Sequence, residues 1–334
     1  MPTRIQPRRG NASAWTSANP VLAEGEFGIE LDTKQIKIGN GTTAWNSLPY
    51  QTFGGATDTV LLNDGVTPTA PSTGMRLLNE SRGGRRMPSF QGPDGLTTTI
   101  QPDLHADNVV IIAPNATTTF TNWGGPTFTA VGTVSHPALT STTVRKEGRT
   151  RAIVTSAATA NSASELRIAA NMCYRGDAAG FGGFHMRWKW GMNTAVALQR
   201  TAVGLWGATG ATATTQSPSA LTNCILLGND SGDTNLQIMH NDASGACTKI
   251  NLGASFPANS TTAIYDLDLF AAPNAASVGW RVKNLVSGAE ATGTITTDLP
   301  PTTTFLVPHA YANNGGTAAA VVLDFYKMTL ATAH

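Results

Sequence analysis

The chain has 334 residues, a formal net charge of +1 and 13% charged residues, about half of the charge usual in globular proteins. This balance gives no basic excess for nucleic acid. The sequence contains no run of about twenty apolar residues, so we expect no membrane-spanning helix. The N-terminal residues have no apolar core behind the early arginines, so we expect no signal peptide. Low charge with many Thr, Ser, Asn and Gly residues is typical of extracellular β proteins.

The first fifty residues predict a small β meander. Residues 26–32 alternate polar and apolar side chains, which is the period of a half-buried strand, and residues 35–38 alternate again before the turn signal Gly39-Asn40-Gly41. A unit this short buries too little surface to be stable alone, so we expect it to oligomerise. Its expected core consists of Trp15, Phe27, Ile29, Leu31, Ile36, Ile38, Trp45 and Tyr50.

The order of these motifs, over about residues 3 to 50, resembles the major tropism determinant N-terminal domain of phage fibre and receptor-binding proteins. The resemblance implies a trimeric base that fastens a fibre to the phage particle. It therefore implies a virion protein, made in the host cytoplasm, whose partners are its own copies and other virion proteins.

Residues 53–100 predict a connector, because Gly and Pro interrupt them too often for long regular elements. The string of residues 83–95 resembles a segment of phage structural proteins that precedes a large distal domain. Its arginines, Arg85 and Arg86, could bind an acidic glycan or phosphate, or contact another virion protein. They could also pair with Glu80 or Asp94 of a neighbouring chain near a threefold axis, which the density of Gly and Pro favours.

Residues 101–334 predict one all-β domain. Many short strands separated by polar turns favour a β-sandwich or jelly roll, similar to lectin-like sandwiches of the concanavalin type. In residues 181–190 the apolar residues alternate with His185, Arg187 and Lys189, so these three should share the opposite face. Residues 162–172 fit either a helix or a strand. The predicted domains are therefore 1–52, 53–100 and 101–334.

Two pairs of acidic residues are candidates for catalysis or metal binding. Asp266 and Asp268 lie two apart on a predicted strand and could perform acid–base work on a sugar. Their alternation with apolar residues indicates instead the solvent face of that strand. Asp230 and Asp233 lie in a turn without the twelve-residue pattern of a calcium loop. We expect no catalytic residues, no metal and no cofactor, since no nucleophile-elbow, zinc or phosphate-loop motif is present.

The cysteines and aromatic residues complete the candidates. Cys173, Cys224 and Cys247 form no metal-ligand pattern and are predicted to be small buried residues, with a single disulfide left open. Exposed aromatic rings are the usual platforms for sugars, and charged neighbours suit anionic ones. The candidate ligand contacts, each with a core or solvated-face alternative, are Trp123, His185, Arg187, Trp206 and Tyr311.

The leading prediction is a non-enzymatic, homotrimeric tail fibre whose β-sandwich binds a host-surface glycan. Weak sites would gain avidity from three copies per fibre. A capsid head fibre or decoration protein fits the same architecture. A polysaccharide depolymerase is the alternative of another class.

Overall fold

The computed structural model describes residues 7–51, 71–93, 97–99, 109–114, 120–123, 128–137, 151–178 and 181–332. The chain divides into two compact units, Met1–Leu62 and Asn63–His334. The domain boundaries that the sequence predicts, after residues 52 and 100, fall outside the described residues and stay predictions. Within these ranges no helix combines the length and the apolar character needed to cross a membrane.

The N-terminal unit is a small sheet with one short helix. Its elements are β1 (Arg8–Gly10), helix α1 (Ala12–Ala18), β2 (Phe27–Glu30), β3 (Ile36–Ile38) and a 3-10 turn at Trp45–Ser47. β2 and β3 form the antiparallel pair that the alternation predicts, but β1 pairs with β2 in parallel. A parallel pair needs a crossover, which α1 supplies, so the unit is not a pure meander.

The core of this unit is a pair of stacked indoles. The rings of Trp15 and Trp45 lie 4.1 Å apart between centroids and pack with Leu22. Gly28 on β2 makes room for them, because a Cβ there would lie 2.3 Å from Cζ3 of Trp45. Gly39 likewise makes room for Leu22, because a Cβ at position 39 would lie 2.5 Å from the Leu22 Cβ.

The prediction of the core of the N-terminal unit is wrong for three residues. Phe27, Leu31 and Tyr50 are 47%, 42% and 43% exposed. Alternation correctly separates the two faces of β2, but the indoles cover the face that carries Gly28 and Glu30. The other face, with the remaining predicted residues Ile29, Ile36 and Ile38 half-buried, stays largely open.

The regular elements among the described residues of the second unit are strands and one 3-10 turn. In chain order they are β4 (Arg76–Arg82), β5 (Arg85–Gln91), β6 (Thr97–Thr99), β7 (Val109–Pro114), β8 (Phe120–Trp123), β9 (Thr129–Val131), β10 (Thr133–Ser135), β11 (Ala152–Thr155), β12 (Ala163–Arg167), β13 (Phe184–Thr194), β14 (Arg200–Trp206), β15 (Cys224–Asn229), β16 (Gln237–Asn241), β17 (Thr248–Asn251), β18 (Ile264–Ala271), β19 (Val278–Asn284), β20 (Glu290–Ile295), β21 (Val307–Asn313) and β22 (Val322–Thr332). A 3-10 turn occupies Pro218–Ala220. The segment 162–172, left open between helix and strand, contains β12.

Most of these strands form a sandwich of two sheets. The front sheet has the order β10-β11-β22-β13-β18-β19-β20, with β7 also on β22 and β8 on β7. The back sheet has the order β17-β16-β15-β14-β21-β12-β9. One apolar cluster draws residues from both sheets, including Trp188 and Leu267 of the front and Val203 and Ile225 of the back. The prediction of an all-β chain with a β-sandwich is therefore confirmed.

Candidate functional site

The outer face of the front sheet carries a cluster of charged side chains. Arg187 donates through Nε to Asp266 Oδ1 at 2.9 Å, and Arg281 donates through Nη1 to Asp268 Oδ2 at 2.9 Å. His185 Nε2 lies 3.2 Å from Asp268 Oδ1. Asp266 and Asp268 are 1% and 0% exposed, so the prediction that they line a solvent face is wrong.

A β-hairpin explains why these carboxylates are buried. Strands β4 and β5 are joined by a tight turn at Gly83-Gly84, whose positive φ angles of 58° and 89° suit a two-residue hairpin. The turn lies against Gly279 of β19 so closely that a Cβ there would lie 1.9 Å from the Gly83 oxygen. Directly after this turn, Arg85 Nη1 lies 3.2 Å from His185 Nδ1 of the same chain.

The hydrogen bonds of His185 define its tautomer. Because a guanidinium can only donate, Nδ1 accepts from Arg85 and Nε2–H donates to Asp268. Burial alone would raise the pKa of Asp268, but the hydrogen bond from His185 and the nearby arginine charges outweigh it and lower that pKa. A lowered pKa keeps the carboxylate ionised, so it has no proton to give as a general acid. The cluster fastens the hairpin to the sheet.

The candidate ligand contacts on this face are thus partly enclosed. His185 is 6% exposed, whereas the side chain of Arg187 keeps 38% exposure. Trp123 lies at the end of β8, and its side chain falls outside the described residues.

The two aromatic candidates on the back sheet are buried, so their prediction as exposed platforms is wrong. Trp206 is 1% exposed and stacks on His309 with ring centroids 4.1 Å apart. Tyr311 is 0% exposed and donates its hydroxyl to the Ala213 oxygen at 2.9 Å. The reason is a second cover, since residues 207–223 pass over this sheet and Thr212 binds Glu165 through its hydroxyl at 2.7 Å.

Exposed aromatic rings occur instead on loops at one end of the sandwich. Tyr174 and Phe305 contact each other with ring centroids 5.1 Å apart, and Phe305 is 48% exposed. Phe181, on the same loop as Tyr174, is 56% exposed. Sequence reasoning missed them because no alternating pattern marks a loop ring as exposed. Backbone hydrogen bonds at Cys173–Leu306 of 2.6 Å and Gly176–Thr302 of 3.0 Å hold the two loops together.

Polar groups lie beside the exposed rings of these two loops. A Cβ added to Gly207 would lie 3.2 Å from the Asn223 Cβ, 3.7 Å from the Phe305 oxygen and 3.7 Å from Thr304 Cγ2, so these residues are neighbours. The Asn223 Oδ1 atom is buried and accepts no hydrogen bond from the described residues. Exposed rings supply the stacking surface that a sugar requires, and polar residues lie next to them. We call Tyr174, Phe181, Asn223, Thr304 and Phe305 the aromatic end.

An open groove of about 650 Å³ lies elsewhere on the second unit, between residues 254–263 and 284–289. The side-chain amide of Asn284, one of the lining residues, donates to the Ser255 oxygen at 3.1 Å and accepts from the backbone of Val286 at 3.1 Å. The amide is thus engaged within the groove wall. None of the described residues that line this groove is aromatic, so the aromatic end is the better carbohydrate candidate.

In the turn that contains Asp230 and Asp233, both carboxylates pair with the ammonium group of Lys249. Lys249 Nζ lies 2.7 Å from Asp230 Oδ2 and 2.8 Å from Asp233 Oδ2. Burial would raise the pKa of Asp230, but the hydrogen bond and charge of Lys249 help to lower it. The lysine ammonium occupies the position between the carboxylates, so this turn is held by an ion pair.

The open face of the N-terminal unit is the remaining candidate surface. Lys37 is buried on the opposite face, where Nζ donates to the Trp45 oxygen at 2.8 Å and lies 4.2 Å from the centre of the Tyr50 ring. Tyr50 donates to Glu30 Oε1 at 2.8 Å, and this bond raises the pKa of its hydroxyl. Lys37 and Glu30 thus have hydrogen-bond partners inside the unit, while Phe27 and Leu31 face outward.

Comparison with known proteins confirms the identity of this unit. The family model of the major tropism determinant N-terminal domain matches residues 5–43. The N-terminal unit therefore carries a domain of this phage family, as its motifs predict. A hyaluronoglucosaminidase of Streptococcus pyogenes phage H4489A is 38% identical over 52 residues, which cover 16% of this chain and 14% of that relative. The chain thus spans only a small part of the relative's length.

Several solved structures are similar to this chain over more than half of its length. Peanut lectin is 12% identical, with a TM-score of 0.43, covering 67% of this chain and 97% of the lectin. A Shewanella oneidensis MR-1 protein of unknown function is 14% identical, with a TM-score of 0.42, covering 79% and 90%. A carbohydrate esterase of Shiga toxin-encoding bacteriophage phi24B is 16% identical, with a TM-score of 0.38, covering 62% and 90%. The sandwich itself is defined by this chain's own strand order and core.

Proposed function

We propose that this protein is a structural component of a phage particle, a homotrimeric tail fibre that attaches through its N-terminal unit and binds a host-surface glycan through its β-sandwich. The observation that carries the proposal is the phage domain at residues 5–43, on one chain with a sandwich whose loops expose aromatic rings. The proposal includes no catalytic step.

The trimer is supported by the open face of the N-terminal unit. Phe27 and Ile29 on β2 lie opposite Ile38 and Ile36 on β3, so their side chains share one face of a very small sheet. A three-stranded sheet of this size needs its apolar face covered to be stable. Two further copies of the chain would cover this apolar face. The family resemblance implies a trimeric base in the same unit.

Native mass spectrometry of the full-length chain tests this interface. We expect a trimer, and we expect Phe27→Asp to release monomers because a carboxylate would be buried without a partner. Val286→Asp is the matched control, since Val286 is similarly exposed, at 54%, but lies on the sandwich. A monomeric wild-type chain, or equal effects of both substitutions, would contradict the proposed interface.

Glycan binding is supported by the aromatic end. A ring stacks on the apolar face of a pyranose, and neighbouring amides and hydroxyls bind the sugar hydroxyls. Screening the full-length trimer on a glycan array should identify the ligand. Phe305→Ala should then weaken binding at least about tenfold, as truncation of a central aromatic contact does. Phe90→Ala is the control, because this ring is also exposed, at 39%, but lies on the hairpin. Equal binding by both variants would refute this site.

A second function, polysaccharide cleavage, is favoured by the phage relative named hyaluronoglucosaminidase. The test is incubation of the purified chain with hyaluronan and with host capsular polysaccharide, followed by measurement of new reducing ends. Cleavage at a rate above a heat-denatured control would establish this alternative. Binding without cleavage supports the fibre.

A further inference from the structure

Two of the cysteines approach each other on the back sheet. Cys224 Sγ and Cys247 Sγ lie 3.4 Å apart, although 23 positions separate them in the sequence. Both are free thiols, with Cys224 buried and Cys247 partly exposed. A disulfide sulfur–sulfur bond is about 2.05 Å long. The two sulfurs therefore need to move together by only about 1.3 Å.

The surroundings hold both thiols at this place. Cys224 begins β15, and the backbone N–H of Cys247 donates to the Ser219 oxygen at 2.8 Å. Both thiols also point at one carbonyl, the Leu221 oxygen, at 3.5 Å from Cys224 Sγ and 3.3 Å from Cys247 Sγ. The pair thus sits where residues 207–223, the cover of the back sheet, return to that sheet.

From this geometry we propose that Cys224 and Cys247 are an oxidative cross-linking site, whose disulfide joins the start of β15, where the cover ends, to the segment that leads into β17. The oxidant is a small-molecule disulfide. The partly exposed Cys247 thiolate attacks it, forming a mixed disulfide and releasing one thiol. The Cys224 thiolate then attacks the Cys247 sulfur, displaces the second thiol and completes the protein disulfide. Two protein thiols are oxidised and one small disulfide is reduced to two thiols.

The buried thiol sets the pace of the second step. In the reduced pair, the hydrogen bond with Cys247 and then burial raise the pKa of Cys224; after Cys247 has formed the mixed disulfide, burial still acts in this direction. Since the thiolate is the attacking form, closure of the disulfide should accelerate as pH rises. The site stands on geometry alone and holds whether or not the proposed glycan binding does. For a protein that is made in a reducing cytosol and acts outside the cell, closure would follow release from the cell.

The test uses the full-length chain, purified reduced and then treated with oxidised glutathione. Alkylation and intact mass spectrometry should show a loss of two hydrogens, and peptide mapping should link Cys224 to Cys247. The oxidised chain should melt about 5–10 °C higher than the reduced chain, as expected for closing a loop of this length in a domain of this size.

Substitutions distinguish this site from adventitious oxidation. Cys247→Ser should abolish both the cross-link and the rise in melting temperature. Cys173→Ala is the control and should retain both, because Cys173 is buried against the Leu306 oxygen away from the pair. A cross-link that includes Cys173, a persistent glutathione adduct on Cys247, or two thiols that stay alkylatable after oxidation would each overturn the proposal.

Discussion

Replacing Asp268 by Asn should destabilise the sandwich markedly although it changes no volume. The carboxylate is 0% exposed and accepts from Arg281 at 2.9 Å. Removing one member of a buried ion pair typically costs about 3–5 kcal/mol. Arg281 would keep Glu290 at 2.9 Å and Asp266 at 3.8 Å, so the loss should lie lower, at about 2–3 kcal/mol.

Thermal unfolding measures this loss directly. A decrease of about 2–3 kcal/mol corresponds to about 4–10 °C in a unit of this size. Asp177→Asn is the control, because Asp177 is exposed on a loop and a surface change of this kind should stay within about 0.5 kcal/mol. Equal melting temperatures of the Asp268 variant and the wild type would refute the account of this cluster.

The same carboxylate makes the stability depend on pH. Folding lowers the pKa of Asp268, whereas in the unfolded chain the pKa returns to about 3.9. A group of this kind stabilises the folded state above its unfolded pKa, and the contribution is lost as the pH falls through that value towards the folded pKa. The difference in melting temperature between wild type and Asp268→Asn should therefore narrow below about pH 4.

Three further substitutions test other parts of the fold. Gly28→Ala forces a Cβ to within 2.3 Å of Trp45 Cζ3 and should destabilise the N-terminal unit by about 1–3 kcal/mol, measured as faster proteolysis of residues 7–51. Gly279→Ala places a Cβ 1.9 Å from a hairpin carbonyl oxygen, so amide exchange should accelerate in residues 85–91 while the sandwich core stays protected. Lys249→Met removes the cation beside Asp230, so the pKa of that carboxyl should rise relative to its value in the wild type, as an NMR titration can measure.

Periodicity predicted the interior of the sandwich well. In β13, Phe184, Met186, Trp188 and Trp190 lie on one face, and none is more than 2% exposed. These positions are readable because the core of a sandwich imposes a period of two on every strand that borders it. The β2–β3 pair followed from the same rule, and the turn signal Gly39-Asn40-Gly41 correctly marked the end of β3 at Ile38.

What covers the outer faces could not be predicted in this way. Asp268 is covered by a hairpin nearly two hundred residues earlier in the chain, and Trp206 by a loop that follows its strand. In both cases alternation identified two faces but carried no information about a third layer. In the N-terminal unit, the glycine at 28 admits Trp45 to the face that the pattern marks as polar.

We propose that this chain is part of a phage particle and lies at its tail. Immunogold labelling of intact particles, with an antibody against residues 101–334, distinguishes the possible locations. We expect label at the tail end. Label spread over the head would contradict the tail assignment and support a capsid fibre, and particles without label would contradict the virion assignment itself.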